Sequence, residues 1–430
     1  VEARDVLRHI VETKDTERMK NTYKYNEDVR KAWTPIWVRN SHRSYEQVEK
    51  RFTVKDCDIH VLPKKPGTPV LILGSGPSLD DIVPHLKDWK GDIMCSTSQL
   101  AMLKQIGVEP TYLTLIDCDP AMLYLVRDYD IPNPKTIFIT HPQVPREYIE
   151  MWKGDVYFFR MLDPGDDYST KFLELAYGWM NQEKDKNYRI GSYVLNSGNV
   201  VNTMIPIAQQ LGYSPIFLCG YDLGYPGEMR RCSTFDKKDG EWVYAPPQPL
   251  PPERPVFKGN NGVTTDELGS FYKYSFMILY GLGCPQIISC SRGILSELPY
   301  VAAEEVVKAQ GKGFDHLVRS PKDCYEIARE YLHYRTIYIM KTDFNIESVN
   351  INSKKGFDKF WYPIRWRWLV SRPWRWMGGK GYIPWQVRRM IRLKKKSDRM
   401  AMRMNPTATP TAAIGQAAEM ISKISTPPTK

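Results

Sequence analysis

The residues best suited to chemistry lie in short glycine-bearing or acidic stretches, each directly after an apolar run. Leu71-Ile-Leu-Gly-Ser-Gly-Pro-Ser-Leu79 reads as a strand, a glycine-rich turn and a helix start. Gly74 and Gly76 permit close backbone approach, Pro77 suits a first helical turn, and Ser78 can cap it. Ser75, Ser78 and the neighbouring N–H groups are then placed to meet a phosphate. The stretch lacks the Gly-Lys-Ser/Thr of a P-loop and the third glycine of the dinucleotide fingerprint, which excludes both standard motifs. In Leu113-Thr-Leu-Ile-Asp117-Cys-Asp119-Pro120 two acids follow a buried run. Asp117 could bind a Mg²⁺ ion carrying phosphates or hold a ribose hydroxyl, whereas Asp119, just before Pro120, suits a helix cap. Asn196-Ser-Gly-Asn-Val200 opens a helix with small polar residues, so Ser197, Gly198 and Asn199 can offer amides and a positive dipole end to an anion. Gly220-Tyr-Asp-Leu-Gly-Tyr225 sets Asp222 and Tyr225 after another apolar run, and His141 in Ile139-Thr-His-Pro142 is a candidate general base.

The elements that must carry these residues alternate. Apolar runs predict strands at Val70–Gly74, Asp92–Cys95, Thr111–Ile116, Thr136–Thr140, Asp155–Phe159, Pro215–Cys219 and Gln286–Ser289. Helical spacing is expected after Ser78, at Gln99–Ile106, after Pro120, at Asn199–Leu211 and at Glu267–Leu282. Strands alternating with helices imply an α/β fold, a doubly wound and mostly parallel sheet, and ligands bind beyond the carboxyl ends of such strands. The candidate residues then share one sheet edge, which makes a nucleotide or sugar-phosphate site the leading reading. Residues 246–255 hold six prolines and can only be a loop, either a substrate lid or surface decoration.

The 430 residues, 42% hydrophobic, exclude a disordered chain and support a large globular core. Eight cysteines form no C-x-x-C pair and seven histidines no H-x-x-x-H, so reduced core thiols in a cytoplasmic protein are expected and a structural zinc site is not. No apolar run reaches the roughly 18 residues of a membrane span, and no signal peptide is visible. Between Trp361 and Arg403 there are 13 basic residues against the single acid Asp398, more than the +11 of the whole chain, together with six of the twelve tryptophans. This composition suits an anionic membrane surface or nucleic acid; a solvated basic helix whose tryptophans dock on the domain is the plainer alternative. The expected organisation is an N-terminal helical extension (1–66), an α/β catalytic domain (67–305), a helical region (306–360), a Trp/Arg-rich segment (361–404) and a flexible tail (405–430).

Gly-Ser-Gly-Pro-Ser-Leu, Glu109-Pro-Thr-Tyr-Leu-Thr-Leu-Ile-Asp117, Ser-Gly-Asn-Val with Ala208-Gln-Gln-Leu-Gly212, and Gly-Tyr-Asp-Leu-Gly-Tyr occur in this order, followed by Thr264-Thr-Asp266 and Ile287-Ile-Ser-Cys-Ser-Arg-Gly293. The pattern, over about 68–305, resembles the MptE-like superfamily. That group includes archaeal 6-hydroxymethylpterin pyrophosphokinases and the motility-associated factor (Maf) flagellin glycosyltransferases, and has relatives in phage genomes. The resemblance implies a Rossmann-like, sialyltransferase-like core with helical extensions at both ends. In a Maf-like enzyme Gly76–Ser78 and Ser197–Asn199 would cradle the phosphate of a CMP-linked sugar. Asp222 and Tyr225 would orient sugar or nucleotide, and His141 would act as base. In an MptE-like pyrophosphokinase Asp117 would hold Mg²⁺ on ATP. A glycosyltransferase with a large or surface-bound acceptor is the favoured expectation. The alternatives are the pyrophosphokinase, another nucleotide-dependent transferase, or a non-catalytic protein recruited by its basic segment. Ser78→Ala is expected to weaken nucleotide binding with the fold intact.

Overall fold

The computed structural model describes residues 36–37, 39–41, 43, 57–119, 134–162, 193–195, 199–253, 256–258, 262–281, 286–329 and 331. The chain divides into two units, Val1–Tyr331 and Leu332–Lys430. All described residues belong to the first. The Trp/Arg-rich segment, the tail, the helix expected after Pro120, and Ser197 and Gly198 lie outside the described residues.

Five strands come first: β1 (Val70–Leu73), β2 (Asp92–Ser96), β3 (Tyr112–Thr114), β4 (Ile137–Thr140) and β5 (Val156–Phe158). Two short strands, β6 (Arg160–Leu162) and β7 (Tyr193–Leu195), pair with each other outside the main sheet. β8 (Ile216–Cys219) returns to it. β9 (Met229–Arg231), β10 (Thr234–Lys238), β11 (Glu241–Ala245), β12 (Gln248–Pro249), β13 (Phe257–Lys258) and β14 (Thr264–Thr265) form short antiparallel pairs, and β15 (Ile287–Ser289) completes the main sheet. Helices among the described residues include α1 (Thr97–Gln105), α2 (Arg146–Met151), α3 (Val200–Leu211), α4 (Glu267–Gly281) and α5 (Ala303–Lys308).

The main sheet has seven strands in the order β15-β8-β1-β2-β3-β4-β5, and its pairings are all parallel. This is the doubly wound α/β fold. Strands covered on both faces need no polar alternation, which is why Val70–Leu73 and Ile216–Cys219 read as unbroken apolar runs. Leu71, Ile93, Leu113, Phe138, Phe217 and Ile288 share one core with residues of α1, α2 and α5. The chain steps outward from β1 to β5, then returns to the other side of β1 for β8 and β15. That reversal creates a switch point between β1 and β8. The open edges are covered: Asp58 bridges Phe158 beside β5, and Tyr300 bridges Ser289 beside β15. At the N-terminal extension Asn40 Nδ2 donates to Gln143 O (2.9 Å), and Arg43 pairs with Glu147 (2.7 Å).

Two expectations change. The helix after Ser78 is a pair of 3₁₀ segments, Pro77–Asp81 and Val83–Asp88. Pro84 explains the break, because its ring would collide with the Asp80 carbonyl in a continuous α-helix. The proline-rich stretch is not wholly loop, since Gln248 and Pro249 pair with β9. The β10–β11 hairpin turns on Asp239 and Gly240, both at positive φ (52° and 90°). An Asp-Gly pair between strands is a local hairpin signal.

Cys57, Cys95, Cys118, Cys219, Cys232, Cys290 and Cys324 are free and buried. Among the described residues no helix is long and apolar enough to cross a membrane. At the amino end of the sheet Tyr213 donates to Asp92 Oδ2 (2.6 Å), which also pairs with Lys65 (3.3 Å), while Thr111 donates to Asp92 Oδ1 (3.0 Å). Tyr213→Phe removes the shortest of these bonds and is expected to lower stability by about 1.5–3 kcal/mol. Denaturant unfolding checks this; an unchanged midpoint would remove the network from the stability of the sheet.

Candidate functional site

At the carboxyl ends of β1 and β8 the two backbones touch. Gly74 N donates to Cys219 O and Gly76 N to Gly220 O, each at 2.8 Å. A Cβ on Gly74 would lie 2.3 Å from Gly220 O, and one on Gly76 would lie 2.3 Å from Asp222 Oδ2, so only glycine fits. Asp222 is 1% exposed, and its carboxylate accepts from Ser78 N (2.9 Å) and Ser78 Oγ (2.5 Å). The Ser78 hydroxyl in turn accepts from Arg292 N (2.9 Å), and Asp222 O accepts from Ile294 N (2.9 Å). A Cβ on Gly293 would fall 1.9 Å from Asp222 O. Loops following β1, β8 and β15 therefore meet around one carboxylate. Burial raises the Asp222 pKa to about 6, against the opposing pull of Ser78 and Arg292.

The other expected residues divide between outward and inward placement. Ser75 and Gly76 are half-buried; Pro77 and Ser78 are buried. Ser75 Oγ accepts from Gln99 Nε2 (2.5 Å), and Gln99 Oε1 accepts from Ser96 N and Oγ (both 2.8 Å), which ties the turn to the start of α1. Asn199 caps α3 by accepting from Asn202 N (3.0 Å), and its Nδ2 donates to Tyr221 OH (3.0 Å). Asp117 is exposed at the end of β3, where its Oδ1 accepts from Asp119 N (2.9 Å). Tyr225 is buried and donates to Asp266 Oδ2 (2.6 Å), while Asp266 Oδ1 accepts from Gly269 N (2.7 Å) in the first turn of α4.

His141 is fully buried, and its Nε2 lies 3.0 Å from Ile116 O. A carbonyl only accepts, so Nε2 carries a proton. Burial pushes its pKa down to about 4 despite the Ile116 carbonyl and Gln143. Among the described residues no group of three or more His, Cys, Asp or Glu side chains gathers as a metal cage. Asp117 can supply one carboxylate oxygen, which fits an ion held mainly by phosphate and water.

Residues 43–228 match the family model described as 6-hydroxymethylpterin diphosphokinase MptE-like. Over that region, less than half of its length, the chain is similar to the MptE-like family. Among curated proteins, none matches the chain. A solved structure similar to it is the Maf glycosyltransferase from Magnetospirillum magneticum AMB-1, at 18% identity and a TM-score of 0.41, covering 68% of this chain and 43% of that one. The chain thus spans less than half of that protein's length. The MptE-like match holds Gly74–Ser78, Asp117, His141, Asn199, Asp222 and Tyr225 and stops before Asp266 and Arg292. Arg292, Asp266 and Gln99 join this edge without a role assigned from the sequence. Their contacts span 24 to 214 residues and leave no local signal.

Within the matched region the Ser78 hydroxyl is bonded to Asp222 and Arg292 N, so its loss is expected to lower stability as well as alter the turn. Ser78→Ala deprives a buried carboxylate of a donor and should cost about 1.5–3 kcal/mol, read by denaturant unfolding. The pH dependence is specific too. Asp222 has a folded pKa above the ordinary 3.8, so its ionisation opposes folding, and its contribution falls as pH rises from about 4 to about 6. His141 acts oppositely, losing stability as pH falls from 6.5 towards about 4, so the wild-type curve hides both. The stability difference between wild type and Asp222→Asn is expected to change with pH across 4–6 and stay flat above; a difference flat throughout would refute the raised pKa.

Proposed function

We propose that the chain is a nucleotide-dependent transferase that holds an activated donor beyond the carboxyl ends of β1, β2, β3 and β8. The transferred group on this reading is a sugar carried by a nucleotide, CMP-linked, and the acceptor is large or surface-bound. The observation that carries the reading is the switch point between β1 and β8, where open parallel sheets bind their ligands. The half-buried Ser75 and Gly76, with Asn199 at the start of α3, border the donor, and a phosphate-binding role for Ser197 and Gly198 remains part of the proposal from their sequence alone. Asp222 and Tyr225 act as positioning residues that fix the loops around it. Catalysis is then mainly positioning and stabilisation of the departing phosphate. A base role for His141 would require its cover to open, so the proton is not routed through it; Asp117 is an exposed carboxylate at this edge. The acceptor side is assigned to the β9–β14 excursion, whose base reaches the glycine-rich turn through Cys232 N to Ser75 O (3.2 Å) and Ser233 Oγ to Asp80 (2.7 Å). The basic segment 361–404 would add attraction to an anionic membrane surface or nucleic acid.

The description of the matching family supports a second reading, a diphosphokinase acting on ATP and a hydroxymethylpterin. Asp117 would there hold a Mg²⁺ ion, which supplies charge neutralisation to the triphosphate. Thermal shift and product release with CMP, CMP-sugars, and ATP plus 6-hydroxymethylpterin, each with and without Mg²⁺, separate the two. A ligand at 100 times its dissociation constant adds about 2.7 kcal/mol. The expected result is a Mg²⁺-independent shift with CMP and slow release of CMP from a CMP-sugar. A response confined to ATP with Mg²⁺ would transfer the conclusion to the diphosphokinase, and no response to any nucleotide would remove both readings.

A further inference from the structure

The backbone donors of the glycine-rich turn decide what an anion there can meet. Gly74 N, Gly76 N and Ser78 N are directed at Cys219 O, Gly220 O and Asp222 Oδ2, and the Ser78 hydroxyl at Asp222 Oδ1. Pro77 has no N–H, leaving at most the Ser75 amide. An open nest of amides is therefore not what this turn offers a phosphate. The carboxylates of Asp80, Asp81, Asp117 and Asp222 at the same edge disfavour an anion further, so a phosphorylated ligand needs cationic side chains.

Two arginines border this turn's contacts: Arg292 bonds to it directly, and Arg231 is the chain neighbour of a residue that does. Arg231 precedes Cys232, whose N–H donates to Ser75 O (3.2 Å), and Arg292 N donates to Ser78 Oγ (2.9 Å). Both are exposed. The Arg292 guanidinium meets Asp81 through Nε to Oδ2 (2.8 Å) and Nη2 to Oδ1 (3.0 Å), the two-pronged geometry that also fits a phosphate. These side chains are 58% and 41% exposed, so the pair contributes little to stability and is cheaply exchanged for another anion. The backbone behind it is fixed, because Gly293 packs directly on Asp222 O.

We infer that Arg231 and Arg292 form the phosphate clamp of this site, with Asp81 occupying the Arg292 fork until the phosphate or diphosphate of a nucleotide replaces it. The clamp rests on the nucleotide reading above and specifies which groups of this chain meet the charge. Calorimetric titration of wild type, Arg292→Ala, Arg292→Lys, Arg231→Ala and Asp81→Asn with CMP, ATP and inorganic pyrophosphate tests it. Each arginine-to-alanine change is expected to weaken binding roughly ten-fold or more, Arg292→Lys to recover part of the loss, and Asp81→Asn to tighten binding several-fold. Tightening by Asp81→Asn is an effect that a merely structural ion pair would not produce. Wild-type affinity in Arg292→Ala overturns the clamp; wild-type affinity in Arg231→Ala removes Arg231 from it; unchanged or weaker binding by Asp81→Asn overturns the place-holder. Nucleotide binding that ignores both arginines leaves the functional reading standing without the clamp. Pyrophosphate binding without nucleotide binding leaves the clamp without that reading, and wild type binding neither ligand discards both.

Discussion

A carboxylate removed from water must be answered by donors, and Asp222 is answered by Ser78 from 144 residues away. Most of the geometry at the carboxyl edge follows from that contact. It binds the turn after β1 to the loop after β8, the two strands on either side of the switch point. The Ser78 hydroxyl then passes the contact to Arg292 N, bringing in the loop after β15. Gly76 and Gly293 are glycines because any side chain there would enter the volume of Asp222 itself. The raised pKa is the cost of this arrangement, since burial disfavours the charge more than the Ser78 donors favour it.

Two kinds of residue at this edge should be kept apart. Asp222, Ser78, Tyr225, Gln99 and His141 face inward and hold loops; their partners are protein atoms at hydrogen-bond distance. Asp117 and Arg292 face outward, and Ser75 and Gly76 are half-covered. A ligand can meet the second group directly and the first only through it. The same division ranks their energetics: a hydrogen bond to a buried charge contributes roughly 1.5–3 kcal/mol, whereas an exposed ion pair such as Arg292–Asp81 contributes about 1 kcal/mol or less. The interior contacts keep the crevice in shape, and the exposed ones are free to change partners.

The sheet was legible in the sequence because parallel strands buried on both faces leave continuous apolar runs. The strands at 70–73, 92–96, 137–140, 216–219 and 287–289 fall where those runs predicted them. The span of α3 was legible because helical spacing is equally local. Pro84 was visible too, yet its effect, replacing α by 3₁₀ geometry, depends on its collision with the Asp80 carbonyl, which periodicity does not express. The partners of Ser78 and Tyr225 were not legible at all. Serine before a helix suggests a cap or a phosphate ligand, and only the approach of β8 to β1 supplies the carboxylate that takes both of its donors. His141 likewise reads as a base by type and position, and only its burial against Ile116 O marks it as a neutral, enclosed ring.

Amide hydrogen exchange across residues 72–80 of the free protein tests the central contact most directly, because it reads whether these donors are committed before any ligand arrives. The account predicts that the amides of Gly74, Gly76 and Ser78 exchange slowly, with protection comparable to that of β1 itself. Exchange of Gly76 and Ser78 at the rate of an open loop would contradict it, and would return the turn to the role of an unoccupied cradle of amides.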